Sequence, residues 1–366
     1  MSLERRLSLI TSLIIALTLG IGGFIFYNDG RGSLAAGEKE QIEATGLVLT
    51  TTMSQAESLT VSHSELLAQD PAVIELMRTG DRTALQARMK PVFDSLKVDA
   101  GADVLHFHTA DMKSFLRVWS PDDYGQDLSR IRPMILSANK HAKSQKGLEI
   151  GLSGLSLRAV SPIRSEGVVV GTVEVGVSLK TLMELAKSST GADFAIFLDP
   201  QFIPDGKGGH GEKGAALQLG AATDSQLFDD LQSRGLVHLT RSAESSTTRL
   251  GDIQLGLLNR PLLDYSGKMI GTLIVAKDFT AIEAGFRATL VTVAVVAICG
   301  LLIAYGVLMV MLRALVFRPL EKLAADRLGG EVNNPAVCLS TYLRIRSIPL
   351  QEPLLANTSL TTDNEH

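Results

Sequence analysis

The sequence predicts an α+β fold in which two tandem modules of mixed helix and sheet sit on a long N-terminal helix, flanked by two membrane-spanning helices. Three observations predict it. Two charge-free apolar runs bracket the middle of the chain, the hydropathy period between them switches from helical to strand-like, and one hairpin pattern recurs after 100 residues.

The apolar runs account for the composition. The chain has 366 residues, 45% of them hydrophobic and 20% charged, with a mean hydropathy of +0.20. That apolar excess is concentrated in Leu7–Tyr27, 21 residues without a charge, and Ala288–Leu312, 25 more. Each matches the ~20 residues that cross a hydrocarbon core as a helix. Arg5 and Arg6 precede the first, and Arg313, Arg318 and Lys322 follow the second. Basic outer flanks place both termini in the cytoplasm and residues 28–287 outside, a two-pass topology in a bacterial inner membrane with a periplasmic central region. The first run also reads as a signal peptide. Its length and the lack of a convincing cleavage site speak against removal.

Other classes are set aside by the same arithmetic. A net charge of −4 and 5% aromatic residues argue against a nucleic-acid partner. Two cysteines, Cys299 and Cys338, exclude a disulfide framework or a Cys-rich zinc site.

After the first span, Ile42, Leu49, Met53, Ala56, Leu59, His63 and Leu66 recur at three- and four-residue steps, predicting one amphipathic helix over Glu38–Gln69. Asp70 and Pro71 read as the cap and first position of the next helix, and Gly80-Asp81 as its break. From Asp103 the period is two. Asp103–Thr109 and Ser114–Ser120 form a hairpin around Ala110-Asp111-Met112-Lys113. Further strands are predicted at Leu155–Val160, Val168–Val177, Phe194–Leu198, Leu236–Thr240, Ile253–Leu258 and Met269–Ala276, with helices at Thr181–Ser188 and Asp224–Ser233. Short links make the sheets antiparallel. Gly167-VVV-Gly171-Thr172 and Gly267-KMI-Gly271-Thr272 align as two copies of one supersecondary unit, preceded by Pro162 and Pro261.

Taken with this layout, the stretches LHFHTADMKSFLRVWSPDDYGQDLSRIRPMI and GLEIGLSGLSLRAVSPIRSEGVVVGTVEVGV resemble the third subfamily of double Cache domains. These are PAS-like periplasmic sensors of bacterial methyl-accepting chemotaxis receptors and sensor kinases. The resemblance covers roughly Gln41 to Phe279 and both spans. It implies two PAS-like (Cache) modules, a small ligand bound outside, and a signal carried by the second span. Arg313-ALV-Phe317-Arg318-Pro319-Leu320-Glu321-Lys322-Leu323 resembles the opening of a HAMP linker, where proline restarts a helix after the membrane.

The expected organisation is a cytoplasmic terminus at 1–6, a first span at 7–27, the long helix at 28–69, a membrane-distal module at 70–187 and a membrane-proximal module at 188–287. A second span at 288–312, a partial HAMP-like linker at 313–326 and a disordered cytoplasmic tail at 327–366 follow. No methylation helices, kinase core or cyclase follow the linker, so a receptor truncated before its output region is expected, with its cytoplasmic signalling partners in doubt.

Strand parity points to a site. Pairing Leu105 with Val118 and His106 with Arg117 makes one hairpin face wholly apolar. The other face carries His106, His108, Phe115, Arg117 and Trp119, joined from later strands by Arg158 and Glu174. Arginine clamps carboxylates, tryptophan supplies an apolar wall, and Glu174 can pair an amine or orient Arg117. A structural Arg–Glu pair on a solvated sheet face is the competing reading. In the repeat, Glu174 aligns with Ile274 and Arg158 with Leu257, which favours the first module as the ligand site. Alternate histidines can share a metal with Glu174 as third ligand, but that spacing alone is weak and a hydrogen-bonding role is preferred. No metal, cofactor or catalytic residue is expected. The glycine-rich Gly209–Gly214 lacks the βαβ unit a nucleotide site needs.

The expected function is therefore a chemosensory receptor of the methyl-accepting type, dimeric through its long helix, binding an organic acid or amine. The input half of a histidine kinase or diguanylate cyclase, or an anchored solute-binding protein, is the alternative.

Overall fold

A computed structural model of the chain describes residues 3–151, 154–203, 216–319 and 322. The glycine-rich stretch at 209–214, the linker beyond Pro319 apart from Lys322, and the expected tail at 327–366 lie outside them. The described residues divide into two compact units. One holds the terminal apolar segments, up to Gly30 and from Arg287; the other is Arg31–Phe286.

Helix α1 runs Leu3–Gln69 without interruption, longer than the periodicity predicts. Gly30, Gly32 and Gly37 lie within it and do not interrupt it. Each glycine costs a helix only about 1 kcal/mol. Asp70 ends α1 and caps α2 (Pro71–Thr79), accepting from the Ala72 N–H at 2.8 Å. Gly80, left-handed at φ 72°, closes α2. Asp81 then caps α3 (Arg82–Asp99).

The first sheet contains β1 (Ala102–Thr109), β2 (Ser114–Arg117), β3 (Gln145–Gly151), β4 (Gly154–Ser165) and β5 (Val168–Val177), in the spatial order β2-β1-β5-β4-β3. Helix α4 (Pro133–His141) lies between β2 and β3 in the chain. After α5 (Leu179–Thr190), the second sheet contains β6 (Asp193–Leu198), β7 (Gln218–Ala222), β8 (Glu244–Leu250), β9 (Ile253–Leu263) and β10 (Met269–Asp278), ordered β7-β6-β10-β9-β8. Helix α6 (Ser225–Ser233) takes in the second module the chain position of α4. The two strand orders are the same topology, so the repeat is structural, and every pairing is antiparallel.

The repeat has a steric basis. A Cβ at Gly171 would run into the His108 carbonyl, and one at Gly271 into the Phe197 carbonyl. Both glycines allow the hairpin strand to approach its inner neighbour at the same register.

Five elements differ from the sequence-based expectation. Leu236–Thr240 is not a strand: the Leu236 N–H caps α6 on Leu231 O, and Leu236 and Val237 pack against an apolar cluster while β8 takes the sheet edge. Strands β3, β7 and β8 were not anticipated, since Gln145–Gly151 and Glu244–Leu250 carry too many polar residues for their period to stand out. Helix α4 was also missed, though Pro133 stands at its first turn.

Each sheet buries both faces. In the first, Leu105, Phe107, Leu116, Val118, Val173 and Val175 pack against α2 and α3. In the second, one face joins Ile42, Leu49 and Met53 of α1, residues of α5, and Leu148, Leu157 and Val177 of the first sheet in a single core. The other face packs Ala195, Phe197, Leu257 and Ile274 against Phe228 and Leu231 of α6. Strand β10 leads directly into α7 (Thr280–Leu312). Phe279 at that junction is fully buried, its N–H bonded to Gln254 O at 2.8 Å.

Candidate functional site

The α4-facing side of the first sheet is built from β1, β4 and β5. His106 pairs with Glu174 and His108 with Thr172, while Glu174 pairs on its other side with Val160. These residues share a face because strand side chains alternate. Glu174 and His108 are fully buried, and His106 and Arg158 nearly so.

A buried carboxylate needs partners, and Glu174 has two guanidinium groups on one oxygen. Arg132 donates from Nη2 to Oε1 at 2.8 Å, and Arg158 from Nη1 to the same atom. Arg132 also donates from Nε to Glu149 Oε2 at 2.7 Å, and Glu149 Oε1 accepts the Met134 N–H at 2.8 Å. Glu149 thereby fixes the first turn of α4, and Arg132 joins that turn to the sheet. Two carboxylates and two guanidinium groups balance.

Each histidine is held by one ring nitrogen. His106 Nε2 lies 2.8 Å from Ser114 Oγ, and His108 Nδ1 lies 2.9 Å from Thr172 Oγ1. The other nitrogens face Glu174 Oε2, His106 Nδ1 at 3.8 Å and His108 Nε2 at 3.4 Å. Neither of these contacts is aligned as a hydrogen bond, and His108 Nε2 and Glu174 Oε2 are buried without a partner. Burial pushes the His106 imidazole well below its ordinary value, reinforced by His108 beside it. Burial likewise lowers His108, against the opposing pull of Glu174. Burial alone would raise the Glu174 carboxyl, but Arg132 and Arg158 outweigh it and hold it well below the usual range. The site therefore carries neutral imidazoles beside an ionised carboxylate.

Four of the residues singled out by parity, His106, His108, Arg158 and Glu174, come together here. Arg117 does not contact Glu174. It donates to Asp123 O and Gln126 Oε1, both at 2.7 Å, and is anchored in the segment after β2. Arg132 and Arg158 take the role that Arg117 was expected to play. Phe115 also leaves the polar set. A bulge follows the Phe107–Leu116 pair, so His108 faces Ser114 and the Phe115 side chain packs against the apolar cluster. Trp119 stands at the rim, 43% exposed and edge-on to His106 with ring centroids 5.7 Å apart. Tyr124 lies in the same segment, with the Arg82 guanidinium 3.7 Å above its ring centroid.

Arg132, Glu149, Ser114 and Thr172 were missed. Arg132 precedes a helix-starting proline and Glu149 alternates with Leu148 and Ile150, so both left a trace in the sequence. Grooves of about 560 and 620 Å³ border the module, one at Glu65, Ser144 and Arg164, the other at Glu57, Lys146 and Arg260. Neither is lined by the cluster, which is closed by α4 and the segment after β2.

The second sheet provides an internal control. By register, Ile274 stands for Glu174, Ala195 for His106, Phe197 for His108 and Leu257 for Arg158. All four are buried in the apolar cluster under α6. The second module thus closes this face without a charged side chain, its buried polar groups there being Asn259, bonded to Leu236 O, and Thr272, bonded to Arg260 O, so the charges of the first module are additional to what the fold needs.

Comparison with known proteins gives a family match and several structural likenesses. The chain is similar to the sensor domain of the V. cholerae histidine kinase DctB, at 12% identity over 68% of this chain and 98% of that one, with a TM-score of 0.41. It is similar to the ligand-binding domain of the Campylobacter jejuni chemoreceptor Tlp3 in complex with L-valine, at 12% identity over 69% and 95% and a TM-score of 0.42. The periplasmic domain of V. cholerae LuxQ matches at 11% identity over 64% and 98%, with a TM-score of 0.41. No curated protein sequence matches the chain. Two helices, over Leu9–Gln69 and Thr280–Phe317, are long and apolar enough to cross a membrane and flank the sensor region. The model for the double sensory domain of two-component sensor kinases, the third double Cache subfamily, matches residues 36–282, and the chain belongs to that family.

Proposed function

We propose that this chain is a transmembrane chemosensory receptor of the methyl-accepting type that recognises a small organic acid or amine on the α4-facing side of its first module. The observation that carries the reading is the contrast between modules: one topology, closed by uncharged and mostly apolar residues in the second and by an ion cluster in the first. An acid can displace Glu174 from Arg132 or Arg158, and an amine can compete for Glu174. Either exchange frees the start of α4, the element that Arg132 ties to the sheet. Arg117, Trp119 and Tyr124 form the rim through which the ligand passes.

The route outward starts at β5, which carries Glu174 and leads to α5. Val177, Leu179 and Leu182 lie in one core with Leu273, Val275 and Phe279 of the second module. A ligand shifts this system only by binding one arrangement better than the other. Phe279 and Thr280 are tied to Gln254 at 2.8 Å, so β10 and the start of α7 move together. The second module is the relay.

The reading includes a periplasmic sensor region, both termini in the cytoplasm of a bacterial cell, and a homodimer formed through α1. Leu59 and Leu66, one heptad apart on α1, are more than half exposed and suit that contact. A histidine kinase output is the second reading, favoured by the family's description as a sensor-kinase domain.

A chimera tests the sensor reading. Residues 1–323 joined to the signalling region of a characterised receptor should give output that depends on a member of an organic acid and amine panel. Output that ignores every compound while the chimera is folded and inserted speaks against a sensor.

A further inference from the structure

We propose that His106, His108 and Glu174 form a binding site for a divalent transition metal of the zinc class. The three side chains offer donor atoms that all lie within 4.8 Å of one another, in a buried position. Spacing along β1 suggested two of these ligands; the third is placed by the pairing of β1 with β5, which sets Glu174 opposite His106.

Four features favour a metal over a merely structural cluster. The first is distance. A tetrahedral ion with bonds of about 2.1 Å holds its donors about 3.4 Å apart. His108 Nε2 and Glu174 Oε2 are 3.4 Å apart, and His106 Nδ1 is 3.8 Å from the same oxygen. The second is unmet bonding capacity. His108 Nε2 and Glu174 Oε2 are buried with no hydrogen-bond partner, which is rare unless something else satisfies them. The third is the outer support. Each histidine has its remote nitrogen on a hydroxyl, Ser114 for His106 and Thr172 for His108, the arrangement that orients metal-ligating imidazoles. The fourth is division of labour on the carboxylate. Arg132 and Arg158 both take Oε1 and leave Oε2 for the ion, a monodentate ligand already oriented by two guanidinium groups.

Charge determines the fourth ligand. Glu149 and Glu174 cancel Arg132 and Arg158, so the ion arrives with two positive charges unbalanced. The open position therefore goes to an anion, such as hydroxide, chloride or a carboxylate. The donor set of two imidazole nitrogens and one carboxylate oxygen suits zinc and its first-row neighbours rather than calcium or magnesium.

Cobalt(II) is the probe, titrated into the untagged, chelator-stripped full chain in detergent. The result expected is one cobalt per chain, with the visible absorption of a four-coordinate ion, bleached by one equivalent of zinc. His106→Gln and His108→Gln should each weaken binding about 100-fold, and Ser114→Ala about 10-fold. Thermal unfolding of the metal-free variants establishes that they are folded; if His108→Gln fails to fold, His106→Gln and Ser114→Ala carry the comparison. A folded wild-type chain with no such absorption overturns the site. So does absorption that survives both histidine substitutions. Because the organic-ligand screen is run on the same protein, a chain that responds to an acid or amine but takes no cobalt loses the metal site and keeps the sensor reading.

Discussion

Arg132 Nη2 lies 2.8 Å from Glu174 Oε1, with both side chains buried. This pair joins the first turn of α4 to the centre of the first sheet, and Glu149 holds the other side of Arg132. Removing one member of a buried pair strands the other charge, at about 3–5 kcal/mol. Glu174→Ile should therefore destabilise the chain severely. Adding Arg158→Leu should recover part of the loss, because that pair of residues is what the second module uses and Arg132 keeps Glu149. Thermal or denaturant unfolding of the two variants decides it. A double variant no more stable than the single one contradicts the argument.

The histidines give a pH dependence. His106 and His108 are both lowered from 6.5, chiefly by burial. The unfolded chain then binds more protons than the folded chain between those lowered values and 6.5, so stability rises with pH through that window and is complete above it. The melting temperature of chelator-treated chain should fall as pH drops below 6.5, and His106→Gln should flatten the fall. An unchanged profile in that variant would show that the destabilising protons go elsewhere.

Two glycines of α1 and the hairpins should respond oppositely to alanine. A Cβ at Gly171 meets the His108 carbonyl and, at 2.5 Å, Met77 Cε, so Gly171→Ala should cost about 2 kcal/mol or more. Gly37 is exposed in the interior of α1 with nothing within 4 Å of its Cβ position. Gly37→Ala should stabilise by about 0.5–1 kcal/mol. Melting curves with the same sign for both would show that the close strand approach is not what Gly171 provides.

Asp70 ends one helix and starts the next. It accepts from Ala72 N–H and pairs with Arg88 at 2.7 Å. Asp70→Ala should cost about 1 kcal/mol, while Asp70→Asn, which retains a capping oxygen, should cost less. Equal losses would assign the effect to Arg88.

Much of this architecture is legible in the sequence because its signals are local. Asp70-Pro71, Gly80-Asp81 and the turn at Gly167 sit where their backbone chemistry requires. Strand parity separated Leu105 and Phe107 from His106 and His108, since a two-residue period survives burial of both faces. The parts that were not legible depend on contacts distant in the chain. The bulge that removes Phe115 depends on how β2 meets β1, and the polar β3 and β8 are strands because hairpins recruit them to sheet edges. Arg132 reaches Glu174 across 42 residues, a contact that no spacing rule encodes.

The proposed recognition site is the charged face of the first module. Thermal shift of the full chain against a panel of organic acids and amines, repeated on Arg117→Ala and Trp119→Ala, tests it most directly. A stabilising compound is expected, its effect lost in these rim variants and kept when Leu257 or Ile274 of the second module is changed conservatively. A compound that stabilises the rim variants as well as it stabilises the wild type would contradict it.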